Sequence, residues 1–220
     1  MAASLVGRET YGGAVSFHQR LDDIVDGSAP LVAAYFDDSG PFASATFDTL
    51  GRTDPNRITE DDLLAVTFLD VRIPPRGVRR LLADADGVTT DLLTQLPPAL
   101  PLWSASNKQV TAAKDLRTYL QAFDGVGWVV SSKLLSRKRP HLVPIVDSVI
   151  WKALAPPGDD LLLALREALG DESRRQRVGA LRPPAAPGTS LLRLIDVATW
   201  LLHSQSRNAR RARVDAGLSA

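Results

Sequence analysis

The sequence predicts an all-α fold, a compact multi-helix domain over residues 1–205 followed by a basic, flexible tail at 206–220. Three observations lead there. Apolar residues recur at three- and four-residue steps along the chain, as the buried face of a helix requires. Period-2 alternation bounded by hairpin turns, the signature of strands, is missing. With 220 residues, 45% of them hydrophobic, the chain can bury a substantial core in one domain.

The elements follow in order. The first thirty residues read as irregular, with Gly12 and Gly13 breaking any early helix. Residues 31–36 and 42–50 form two short helices across a turn containing Asp37, Asp38, Ser39, Gly40 and Pro41. Thr59 and Asp62 have the spacing of a capping box ahead of the apolar run 63–69. Pro74 and Pro75 close one element and open the next, where Val78, Leu81 and Leu82 share a helical face. Thr89 or Thr90 caps a short helix that Pro97 and Pro98 stop.

From 108 to 123, Val110, Ala113, Leu116, Leu120 and Phe123 line one side of an amphipathic helix. A second helix runs over 128–138 into the proline-bounded link 140–144, and a third opens near Asp147. Residues 161–169 and 171–181 are helical, and 183–188 form a proline-rich loop. Thr189 or Ser190 then caps a final, largely buried helix running past Leu202.

Composition narrows the function classes. There is no cysteine, so a disulfide framework, a thiolate zinc site and a cysteine nucleophile are excluded. No apolar run approaches the roughly 20 residues of a membrane span, and the N-terminus lacks the pattern of a signal peptide. A cytoplasmic protein without membrane association is expected. His18, His141 and His203 are dispersed, and no metalloprotease, EF-hand, P-loop or nucleophile-elbow pattern occurs, so no metal site is expected.

The net charge of +1 arises from 26 basic and 25 acidic residues, so any nucleic-acid site must be local. Basic residues cluster at Arg137, Lys138 and Arg139, at Arg174, Arg175 and Arg177, and at Arg207, Arg210, Arg211 and Arg213. The plain reading of each cluster is a solvated face or a tail.

The informative segment is Gly125-Val126-Gly127-Trp128, between two amphipathic helices, followed at a distance by Pro144-Ile145-Val146-Asp147. Two glycines around one small apolar residue make a tight turn that no side chain obstructs. Amides left free at the following helix N-terminus, with the positive end of the helix dipole, suit a phosphate.

Residues 108–139 therefore read as a helix–hairpin–helix, and here the chain resembles the helix–hairpin–helix superfamily of base-excision DNA glycosylases. Gly125, Val126 and Gly127 match the hairpin, Ser131 and Ser132 stand where small residues are usual, and Asp147 falls where that family keeps its active-site aspartate. The chain also looks similar, over nearly its whole length, to a family of uncharacterised bacterial proteins with the elements Gly125-Val126-Gly127-Trp128 and Arg137-Lys138-Arg139-Pro140-His141.

The glycosylase resemblance implies DNA as partner and an extruded nucleotide as substrate, with the hairpin holding a phosphate and Asp147 activating water or stabilising the developing sugar cation. Trp128, Lys133, Arg137, Lys138 and Arg139 would add contacts. No cofactor is implied beyond a monovalent or divalent cation at the hairpin. The position of the family's Schiff-base lysine is Val129 here, which excludes a lyase step through that residue.

Plain structural readings stand beside these. Asp147 precedes an apolar helical run and is by position an N-cap. The glycines can simply join two helices, Lys133 can be an exposed helix residue, and Trp103, Trp128, Trp151 and Trp200 can be core anchors. A non-catalytic nucleic-acid-binding module and a protein-interaction module on the same scaffold are the alternatives to an enzyme.

Overall fold

The computed structural model describes residues 15–84 and 87–218, and among them it has twelve α-helices, three short 3₁₀ turns and no strand. The helices are α1 (Phe17–Gly27), α2 (Ala29–Tyr35), α3 (Glu60–Thr67), α4 (Pro75–Ala83), α5 (Val88–Thr94) and α6 (Asn107–Gln121). There follow α7 (Trp128–Lys138), α8 (Ser148–Leu154), α9 (Leu161–Ala168), α10 (Glu172–Ala180), α11 (Leu191–His203) and α12 (Arg207–Asp215). The 3₁₀ turns cover Ala43–Asp48, Leu102–Ser104 and Pro157–Asp159. The expectations about Gly12, Gly13 and the N-terminal segment lie outside the described residues. No helix among the described residues is long and apolar enough to cross a membrane.

Side-chain caps start most of these helices, which is why short sequence signals located so many of them. Ser16 accepts from the Gln19 amide at 3.1 Å, and Ser190 accepts from Arg193 at 3.1 Å. Thr59 with Asp62, and Ser106 with Gln109, form reciprocal capping boxes. Each such cap stabilises its helix by about 1 kcal/mol.

Three expectations need correction. The first is that residues before 30 are irregular: α1 lies there, because Phe17, Leu21, Ile24 and Val25 make a buried helical stripe. Second, α5 is not capped by a threonine. Asp84, in the left-handed region at φ 36°, reaches forward to accept from the Thr89 and Thr90 amides. Third, the segment expected to be a loose tail carries α12, which buries Ala209, Ala212 and Arg213 against the body.

Two helices form the interior. Helix α11 packs against α1, α2, α8, α10 and α12 and is buried without a break from Leu192 to Thr199. Helix α7 lies between α3 and α6 and is buried from Val130 to Lys138. The burial of α7 takes in Ser131, Ser132, Lys133, Ser136, Arg137 and Lys138, with Arg139 just beyond its end. Buried polar groups require partners, and those partners determine what α7 does.

Candidate active-site cavity and hairpin

The cations of the second half of α7 hold the ends of other elements. An element that stops leaves its last carbonyls without intrahelical donors, and cations favour that negative end. Lys133 Nζ donates to Leu69 O, just past α3, at 2.6 Å. Arg137 donates to the carbonyls of Phe47 and Leu50 where the first 3₁₀ turn ends. Arg139 donates to Leu93 and Leu96 at the close of α5, and to Pro55 O at 2.6 Å. Lys138 and Arg137 also meet Asp62, a fully buried carboxylate that closes the capping box of α3.

The expected phosphate contacts at Arg137, Lys138 and Arg139 are therefore corrected. Their guanidinium and ammonium groups are enclosed and already bonded, with Arg139 0% exposed. A phosphate from outside would have to displace the carbonyls these groups already serve. Lys133 is likewise not an exposed helix residue, being 6% exposed.

At the other end of the same helix the backbone is bare. Residues 122–127 form the turn between α6 and α7, with Val126 buried and Gly125, Gly127 and Trp128 exposed. Gly125 has φ +72°, and a Cβ there would sit 2.2 Å from Pro74 Cδ. Gly127, the N-cap of α7, makes no side-chain cap and has nothing within 4 Å of the position a Cβ would take. Behind the turn, Gly77 of α4 lies so close that its Cβ would be 2.2 Å from Asp124 O, and Arg76 meets Asp124 at 3.3 Å. Trp128, 44% exposed, packs edge-on against Trp151 of α8 at 6.2 Å.

Between these ends α7 faces a cavity of about 440 Å³, a volume within the roughly 300–1,000 Å³ of small-molecule sites. Tyr35, Phe42, Phe68 and Trp200 give it an aromatic side, while Asp70, Lys133, Asp147, Arg193 and Asp196 supply charge. Asp147 is held there by two devices. Its Oδ1 accepts from the Val149 and Ile150 amides at 2.9 and 3.0 Å, so the expected N-cap role is real. The Ser132 hydroxyl accepts from the Val146 amide at 3.1 Å, tying the residue before Asp147 to α7. The second carboxylate oxygen of Asp147 makes no hydrogen bond among the described residues.

The environment perturbs two groups facing the same space. Burial lowers the pKa of Lys133, against the opposing pull of Asp147 and Asp196. Burial, with Asp147 nearby, pushes Asp196 up to about 6, although Arg193 pulls it down. Arg193 also donates to Asp48 at 3.0 Å and to the Tyr35 hydroxyl at 2.7 Å, which fixes that wall.

Asp70, Arg193 and Asp196 were not singled out from sequence. A readable signal existed for Arg193 and Asp196: charges three residues apart inside an otherwise apolar helix are rarely buried without a purpose. Asp70 gave none, since its φ of 58° and its place in the wall depend on where α3 stops.

Among the described residues, no group of three or more His, Asp or Glu has the geometry to hold a metal ion. The sequence model of a "Family of unknown function (DUF6308)" matches residues 28–203, and the chain belongs to that family. No curated protein and no solved structure matches it.

Proposed function

We propose that this member of the family is a DNA-binding helix–hairpin–helix protein that takes an extruded nucleotide into the cavity and cleaves its N-glycosidic bond, as a monofunctional glycosylase-like hydrolase. The observation that carries the reading is the placement of Asp147, which lines the cavity with one carboxylate oxygen fixed by its own helix and the other without a hydrogen bond among the described residues. In such a position it can orient a water or face the positive charge that develops on the sugar as the base leaves. The charged wall of three aspartates with Lys133 and Arg193 favours that charge.

The hairpin fits the same reading. The open space at Gly127 and the uncapped start of α7 suit a backbone phosphate, with or without a bridging cation. Trp128 offers an exposed ring beside it. Along α7, Gly127 and Lys133 are separated by about 9 Å of helix rise, within reach of one nucleotide and its flanking phosphates. Lys133 would then donate to the nucleotide through the protons it does not give to Leu69 O.

The N-cap bonds of Asp147 favour a second reading, a non-catalytic module in which this residue is only structural. One experiment separates the two. Duplex oligonucleotides carrying modified bases are incubated in excess protein, and abasic sites are revealed by alkali. Asp147→Asn keeps the cap acceptor and is expected to reduce excision by about 10²–10⁴ while leaving binding in place. Full excision by that variant ends the catalytic assignment, and salt-dependent binding without any excision by the wild type establishes the binding module instead.

A further inference from the structure

The basic clusters of this chain meet different fates. Arg137, Lys138 and Arg139 are enclosed. Arg174 and Arg177 are paired with Asp22 and Asp26 across α1 and α10. Arg193 is paired with Asp48 and Asp196. The cluster left over is on α12. There Arg213 is buried and donates to the carbonyls of Leu201 and Ser204, which anchors the helix to the end of α11. Ala209 and Ala212 complete the buried side. Arg207, Arg210 and Arg211 are all exposed, and their spacing of three and four residues places them on one face.

Two features make this face costly unless something negative meets it. Like charges at these spacings repel, and Arg207 stands in the first turn, where the helix dipole is already positive. Arg207 and Arg210 have no carboxylate partner among the described residues, and Arg211 has only Asp215 at 3.6 Å in an exposed pair. The position of the helix supplies the third feature. Ser206 and Asn208, at its start, are part of the cavity wall, so the helix that carries the arginines begins at the rim of the cavity that holds Asp147.

We infer that the exposed face of α12 docks the sugar–phosphate backbone of a nucleic acid beside the cavity, with Arg207, Arg210 and Arg211 each contacting a phosphate. This rests on the nucleic-acid reading of the cavity and moves its electrostatic footprint from the end of α7 to α12. Guanidinium groups bind phosphate oxygens in pairs and lose affinity as salt rises, because bound counterions are released on contact.

The test uses the full chain and a fluorescein-labelled DNA duplex, with anisotropy titrations over a series of KCl concentrations. The triple variant Arg207→Gln, Arg210→Gln, Arg211→Gln is expected to lower the slope of log K against log salt by about 2.7 and the affinity near 0.1 M salt by several hundredfold. Its melting curve should match that of the wild type. The single variant Arg210→Glu, which removes less of the helix surface, should lower the slope by about 0.9. A triple variant that binds with the wild-type slope overturns the inference and leaves the cavity reading standing. A wild type that ignores duplex DNA but binds phosphatidylserine vesicles overturns both, and makes α12 a lipid-facing helix.

Discussion

The two ends of α7 carry similar promise as sequence and opposite roles as structure. At its start, Gly125 and Gly127 leave backbone in the open beside an exposed Trp128. At its end, Arg137, Lys138 and Arg139 are sunk in the protein and spend their donors on the last carbonyls of neighbouring elements. The glycines just before the helix stand open to solvent, and Arg137, Lys138 and Arg139 at its end hold the fold. Short helices explain the inversion. Many of the elements here are about two turns long, so unsatisfied carbonyls at their ends are numerous, and a buried cation serves several at once.

The largest expected effect tests the buried end. Arg139→Met keeps the aliphatic stem but leaves the carbonyls of Leu96 and Pro55 without their donor. A loss of about 3–5 kcal/mol in urea unfolding is expected, with Arg139→Lys intermediate because an ammonium cannot reproduce the fork. A loss under about 1 kcal/mol would show that this arginine is spare and could serve a ligand after all, and the contrast between the two ends would fail.

The exposed end divides internally. Gly125→Ala forces a side chain into a left-handed conformation and against Pro74, so a cost of about 1–3 kcal/mol is expected. Gly127→Ala meets open space at φ −76°, ψ −175°, an extended conformation that any residue adopts, and should cost less than about 1 kcal/mol. Duplex affinity should nevertheless fall in Gly127→Ala, because the added methyl crowds the start of α7. Equal destabilisation by the two substitutions, or unchanged affinity in the second, would make this turn merely a connection between helices.

The sequence was most legible where one local signal decides one local structure. Thr59 with Asp62, Pro97 with Pro98, and the Gly125–Gly127 turn locate helix boundaries because caps and breakers act within a few residues. Asp147 was legible as both a cap and a candidate acid, and the structure shows the cap beside an open cavity. Burial of the cations at the end of α7 was not legible. Arg137–Lys138–Arg139 and Arg207–Arg210–Arg211 look alike as strings, yet one is interior and the other is on the surface, because partners such as Phe47 O and Leu93 O lie some 45 to 90 positions away in the chain. The cavity was hidden for the same reason, since α3, α7, α8, α11 and α12 must assemble before it exists.

The remaining effect, read as a dependence on pH, falls at the middle of α7, where Lys133 faces Asp147 and Asp196 and neither end dominates. Asp196 titrates near 6 in the folded chain and near the ordinary aspartate value of about 4 when unfolded, so the folded state holds its proton more tightly. Its contribution to stability is then fully present below about pH 4 and is lost as pH rises through about 6, with a slope approaching 1 kcal/mol per pH unit between them. Asp196→Asn removes that titration, and urea unfolding at pH 4.5, 5.5 and 6.5, taken as roughly spanning the window, should give a flatter profile in the variant than in the wild type. Parallel profiles would mean that Arg193 keeps Asp196 ionised throughout, which would tie the middle of α7 to its buried, ion-paired end.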